Sequence, residues 1–251
     1  MSYYRQGPQR PSGVSLGIPP LTPLVRKIVI ASVAIWLFQF VMDRLFQVDL
    51  ARGIGWIPGF GVVPSQTAHG ALWQPLTYIF LHNARDPVHI LFNMLMLWMF
   101  GGELERFWGG RAFFRYYLIA GAGGGISAAI LGLLFGGSHA EVATIGASGS
   151  LFGLFVAFGM VFAHRTVLFM LFFPMQARTM SLILVGLSLF YLLSQPGSPV
   201  SHIAHLGGAL AGYLYLKRAW RVGEFARELR WKIRRRRFKV MSERDPDEWL
   251  N

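Results

Sequence analysis

The chain has 251 residues, 53% hydrophobic and 15% aromatic, with a mean hydropathy of +0.43 and only 14% charged residues, against about 25% charged in soluble domains. That balance excludes an ordinary soluble domain and points to a polytopic membrane protein. The net charge of +12 sits beside apolar runs rather than in a nucleic-acid-binding pattern, and the absence of cysteine excludes disulfides, a thiol nucleophile and thiolate metal sites.

Residues 1–21 are polar and rich in Pro and Gly, and they read as a flexible cytoplasmic tail. A secretory signal would place its apolar core earlier, whereas an organelle transit segment stays open because no acid precedes Asp43. A membrane span needs about 20 mostly apolar residues. The first is expected at Leu24–Phe46, followed by a long Gly-, Pro- and Trp-rich stretch, Gln47–Pro87, suited to the membrane interface. Further spans are expected at Val88–Phe107, Ala112–Leu134, Gly146–Phe162, Thr179–Leu193 and Ser201–Tyr215. The apolar stretch Phe169–Pro174, broken by its proline, reads as a membrane-dipping connection. Residues 219–251 form a basic cytoplasmic tail, in which Trp231–Phe238 reads as a helix lying on anionic headgroups.

Loop charges set an orientation. Arg106, Arg111 and Arg115 cluster around the junction of the second and third spans, and Arg165 and Arg178 lie between the fourth and fifth. The loops Gly136–Ile145 and Gln195–Val200 contain no base. Six spans with both termini in the cytoplasm satisfy this pattern. The same topology brings Ser148, His89 and His205 near the non-cytoplasmic ends of their helices.

Those residues are the polar exceptions in apolar runs, which lipid tolerates poorly unless they are paired, water-lined or functional. Ser148 lies in Gly146-Ala147-Ser148-Gly149-Ser150, flanked by residues with little side chain. Gly149-x-x-x-Gly153 also reads as a helix-packing motif, with Ser148 a small neighbour. The two readings are compatible: Gly208 and Gly212 share a helical face with His205, so joining the glycine seams would carry His205 toward Ser148. His205 alone also reads as a buried histidine bonded to a carbonyl, and His202 as a surface neighbour. A His-x-x-His metal site lacks any carboxylate partner in these spans, so no metal is expected. His89 and Asn93 share a helical face, as polar glue between helices or as donors to a developing oxyanion together with the Ser148 backbone N–H. No carboxylate is available as a third member, so His205 is expected to be held by packing.

His89-Ile90-Leu91-Phe92-Asn93-Met94 with Gly101-Gly102-Glu103-Leu104-Glu105, then Gly146-Ala147-Ser148-Gly149, then Ala204-His205-Leu206-Gly207-Gly208 resemble, in order and spacing, the rhomboid intramembrane serine proteases over residues 22–218. The resemblance implies an all-α, six-helix membrane bundle with a long interfacial first loop. It also implies a nucleophile at Ser148, its general base at His205, and oxyanion stabilisation by His89 and Asn93, with no cofactor. His82 would be a structural or loop-bonding histidine, Phe152 an aromatic packed on the base, and Glu105 a structural acid bonding backbone or Arg. Two features depart from the family pattern: Trp73-Gln74 stands where many members carry Trp-Arg, and the Asn83–Val88 segment is longer than in some members.

The implied reaction is hydrolysis of single-pass transmembrane proteins near the non-cytoplasmic face. Water would reach Ser148 through a cavity made by His82, His89, Asn93 and the His202 region. A bacterial inner membrane is the expected location, with an organelle membrane as the alternative. A non-catalytic scaffold that binds membrane clients is a second reading, opposed by the presence of both Ser148 and His205. A transporter would need polar groups along a path, and these gather at one end.

Overall fold

The computed structural model describes residues 20–169, 173–194 and 202–218. The remainder of both expected tails, including the Trp231–Phe238 helix, and the loop 195–200 lie outside the described residues. The protein is an integral multi-pass membrane protein, mostly helical. Among the described residues, four helices are long and apolar enough to cross a membrane, with two shorter helices among them.

Helix α1 (Pro23–Phe46) starts on a proline and ends on Gln47 in the left-handed region. Only Val25, Ile28, Ser32 and Gln39 of its 24 residues are buried, so α1 lines the edge of the bundle and shows most of its surface to lipid. Its start is fixed from elsewhere: Glu105 accepts from the backbone N–H groups of Leu24 and Val25, each at 2.9 Å, and from the Thr22 hydroxyl. The expected structural acid thus bonds the backbone of an opened helix end, while Arg106 and Arg165 bond Glu103.

The first loop is more structured than its composition implies. It contains a hairpin of β1 (Gly53–Ile54) and β2 (Ile57–Pro58), then short helices α2 (Pro64–Ala68) and α3 (Gln74–Thr77). Gln74 is fully buried. Its amide accepts from the Val63 N–H at 3.1 Å and the Thr67 hydroxyl at 2.7 Å, and donates to Gln66 at 2.8 Å and to the Gly59 carbonyl at 3.3 Å. Trp73 donates to the same carbonyl at 3.0 Å. A neutral amide therefore supplies the fixing bonds.

The second span comprises α4 (Pro87–Met96), a wide π turn over Leu97–Gly101, and α5 (Gly102–Trp108). Gly109, at φ 80°, turns the chain directly into α6 (Gly110–Phe135). Then come α7 (Ser148–Val161), α8 (Ala177–Ser194) and a further helix, α9, over 202–218. Between α7 and α8, strands β3 (Thr166–Phe169) and β4 (Phe173–Gln176) pair antiparallel, so the expected connection at 169–174 falls within a hairpin. Its proline pairs with Leu168 within this two-stranded hairpin, where every strand is an edge and proline is tolerated.

Helix α7 is the centre. Nine of its 14 residues are buried, and Phe155 and Phe158 meet Phe100 edge-on at 5.2 and 5.1 Å. The seam with α9 is glycine on both sides: a side chain on Gly208 would overlap the Gly149 carbonyl, and one on Gly212 would lie 3.1 Å from the Gly153 Cα. Without side chains between them the two backbones touch, as in small-residue membrane interfaces.

Candidate active site

The site is assembled where α4, α7, α8 and α9 meet at one end of the bundle. A β-bridge ties the first loop to the segment ahead of α7, with Val62 and Thr144 exchanging hydrogen bonds of 2.9 and 2.8 Å. Gly146 follows at φ 118°, a conformation that favours glycine, and its N–H donates to the Tyr78 carbonyl at 3.0 Å. The sharp turn delays helix onset from the expected Gly146 to Ser148, so Ser148 opens α7. The first N–H groups of a helix have no helical acceptor, and they carry the positive end of its dipole.

Ser148 and His205, distant in sequence, meet: His205 Nε2 and Ser148 Oγ are 2.8 Å apart. Phe152, one turn after Ser148, stacks on the imidazole with centroids 4.3 Å apart and planes 5° from parallel. His202 meets the same ring edge-on at 5.8 Å and itself stacks on Tyr191. Packing is not the whole support of His205, because Ser188 Oγ on α8 lies 3.4 Å from Nδ1.

His89 and Asn93 both reach this end on α4. The Asn83 backbone N–H donates to His89 Nδ1 at 3.3 Å, so the neutral ring carries its hydrogen on Nε2. That Nε2 points at the glycine turn, since a Cβ on Gly146 would sit 2.9 Å from it and 3.8 Å from Ser148 Oγ. Asn93 is buried and gives one amide hydrogen to the His89 carbonyl at 2.7 Å, and its second amide hydrogen has no acceptor among the described residues.

The Asn83–Val88 segment is a brace. Arg85 makes a two-point ion pair with Asp43, at 2.9 and 3.1 Å, which draws its guanidinium pKa further up. Trp36 donates to the Asn83 carbonyl at 3.0 Å, and Asp86 caps α4 by accepting from Val88 at 3.0 Å.

His82 is fully buried, 5.3 Å from the His89 ring. Its tie to the bundle runs through its backbone N–H, which donates to Gln39 at 3.0 Å. Burial, with the neighbouring His89, holds its pKa down to about 4. A cavity of about 680 Å³ opens beside the site, lined by His82 together with Gln39, Asp43, Arg85 and Ile145 among others.

Sequence reasoning assigned no role at the site to Tyr78, Gln74, Asn83 or Ser188. Tyr78 is buried between α6 and α7, and its hydroxyl donates to the Gly121 carbonyl at 2.7 Å. Serines in membrane helices usually serve as small packing residues, so Ser188 carried no signal of its own.

Residues 69–221 match the family model of the Rhomboid domain, more than half of the chain. The chain is 28% identical over 197 residues to the "Putative rhomboid protease YdcA" of Bacillus subtilis, covering 77% of this chain and 87% of that protein. It is 33% identical over 135 residues to "Rhomboid protein 1, mitochondrial" of Saccharomyces cerevisiae, and 28% identical over 149 residues to "Rhomboid protease GluP" of Bacillus subtilis. The matches cover 51% and 59% of this chain but only 36% and 26% of those two longer proteins. With the matched segment holding Ser148, His205, His89 and Asn93, the chain belongs to the rhomboid family.

Proposed function

We propose that the chain is an intramembrane serine endopeptidase that uses Ser148 and His205 to hydrolyse single-pass membrane proteins. The observation that carries this reading is the 2.8 Å approach of His205 Nε2 to Ser148 Oγ at the open end of α7. A nucleophile and base within hydrogen-bond reach are the signature of an activated hydroxyl. Neutral His205 takes the Ser148 proton as Oγ attacks the scissile carbonyl. The oxyanion forms against His89 Nε2–H, the second Asn93 amide hydrogen and the Ser148 N–H. The protonated His205 then gives its proton to the leaving amine, and water hydrolyses the acyl-enzyme. A substrate helix has to unwind locally, because a helical carbonyl is hydrogen-bonded and shielded. Small or helix-breaking residues near the membrane boundary favour cleavage for that reason.

Residues 22–218 form the catalytic unit, flanked by tails at 1–21 and 219–251. Both termini face the cytoplasm, with the dyad at the opposite face of a bacterial inner membrane. A rhomboid-like scaffold that binds membrane clients is the competing reading, and the 2.8 Å contact favours the enzyme. A fluorophosphonate probe and a model membrane substrate decide between them. Wild type is labelled and cleaves, while Ser148→Ala and His205→Ala do neither. Labelling that persists unchanged in Ser148→Ala overturns the assignment.

A further inference from the structure

A neutral imidazole that accepts a proton at Nε2 carries its own proton on Nδ1, and a buried N–H needs an acceptor. Rings in this position elsewhere are oriented by a carboxylate. Here no carboxylate touches the His205 ring among the described residues. The group within reach of Nδ1 is the hydroxyl of Ser188, 3% exposed on α8, at 3.4 Å. We infer that Ser188 is a positioning residue whose oxygen accepts the His205 Nδ1–H and so holds the base in the tautomer that faces Ser148.

The inference rests on the proposed dyad and adds what packing cannot supply. The Phe152 stack fixes the plane of the imidazole. A stacked ring can still flip in its own plane, exchanging nitrogen for carbon at each corner, and the stack is indifferent to which nitrogen carries the hydrogen. A hydrogen bond at Nδ1 removes both ambiguities. A hydroxyl does this without placing a fixed charge beside lipid, where an unpaired carboxylate is costly. When the Ser148 proton moves to Nε2 the ring becomes imidazolium with N–H on both nitrogens, and the Nδ1–H···Oγ bond becomes charge-assisted. Ser188 keeps its own proton throughout, and Nε2 returns its proton to the leaving amine.

The bond also makes α8 part of the catalytic geometry. Of the 18 residues of this helix, Ala177, Met180, Ser181 and Ser188 are buried. Ser188 is the one nearest the Ser148 end, so the orientation of the base depends on where α8 sits.

The test uses the full chain in detergent micelles with ¹⁵N-labelled histidine, the His205 signals being identified by their loss in His205→Ala. At neutral pH the wild-type ring is expected as the Nδ1–H tautomer. Ser188→Ala is expected to raise the Nε2–H fraction and to slow the limiting rate of fluorophosphonate inactivation about 10-fold, part of the roughly 10²–10⁴-fold that a well-placed general base contributes, with half-saturation unchanged. Ser188→Thr, which keeps the hydroxyl, restores both. A wild-type ring found as Nε2–H overturns the inference even if Ser188→Ala fails to fold. So does a Ser188→Ala protein with unaltered tautomer and rate. A wild type that is never labelled but shows the Nδ1–H tautomer would instead count against the proposed protease.

Discussion

Phe152 and His205 lie face to face, 4.3 Å between centroids and 5° from parallel. Because Phe152 stands one turn beyond Ser148, the helix that carries the nucleophile also carries the surface that orients the base. Phe152→Ala removes that surface and leaves a void beside the imidazole. Turnover is expected to fall about 10-fold or more, in line with the sensitivity of catalysis to misplacement of about 1 Å. Phe152→Tyr, which keeps the ring, retains most activity. Cleavage rates of the two variants check this, and equal rates in Phe152→Ala and wild type refute it.

The glycine seam is a second handle on the dyad. A methyl on Gly208 would overlap the Gly149 carbonyl, which forces α9 away from α7 and takes His205 with it. Gly208→Ala is expected to abolish cleavage and to cost about 1–3 kcal/mol of stability, as overpacking does. A methyl on Gly186 of α8 would meet nothing within 4 Å, so Gly186→Ala should leave melting and cleavage near wild type. Matching behaviour of the two variants would show that the seam does not set the distance.

How much of this was readable beforehand follows from the range of each signal. Span positions survive because hydropathy over about 20 residues is a strong signal, and α1 begins at Pro23 against an expected Leu24. The joining of the glycine seams was also legible, because spacing on one helical face is local information. The first loop was not. Its order depends on Gln74, whose four partners come from Gly59, Val63, Gln66 and Thr67, and no periodicity marks a glutamine as a hub. The hairpin at 166–176 was hidden because apolar strands and apolar helix fragments look alike over a few residues. Ser188 shows its contact only once α8 is placed against α9.

Glu105 separates a buried acceptor from a surface ion pair. It takes three donors from the start of α1, so Glu105→Gln presents an amide N–H₂ to groups that themselves donate. Loss of about 1–3 kcal/mol is expected, the cost of leaving buried polar groups unsatisfied, with α1 the first element to exchange its amide hydrogens. Glu103 bonds Arg106 and Arg165 in a more exposed position, where pairs contribute about 0–1 kcal/mol. Thermal melting of Glu105→Gln and Glu103→Gln in micelles should therefore differ clearly, and equal shifts would contradict the capping role.

His82 gives the fold a pH limit. Its folded pKa of about 4 lies below the ordinary 6.5 because burial, and then His89, disfavour the charged ring. The unfolded chain therefore takes up a proton below about 6.5 that the folded site refuses until about 4. Stability linked to His82 is complete above that window and is lost as pH falls through it, at about 1.4 kcal/mol for each pKa unit. Melting temperature should drop between about pH 7 and pH 4.5, and the drop should shrink in His82→Phe, which does not titrate. His89 is kept in both proteins, so the difference between the two profiles isolates the buried ring. A wild-type profile that stays flat across this interval would mean that His82 is already charged, or already hydrated, in the folded bundle.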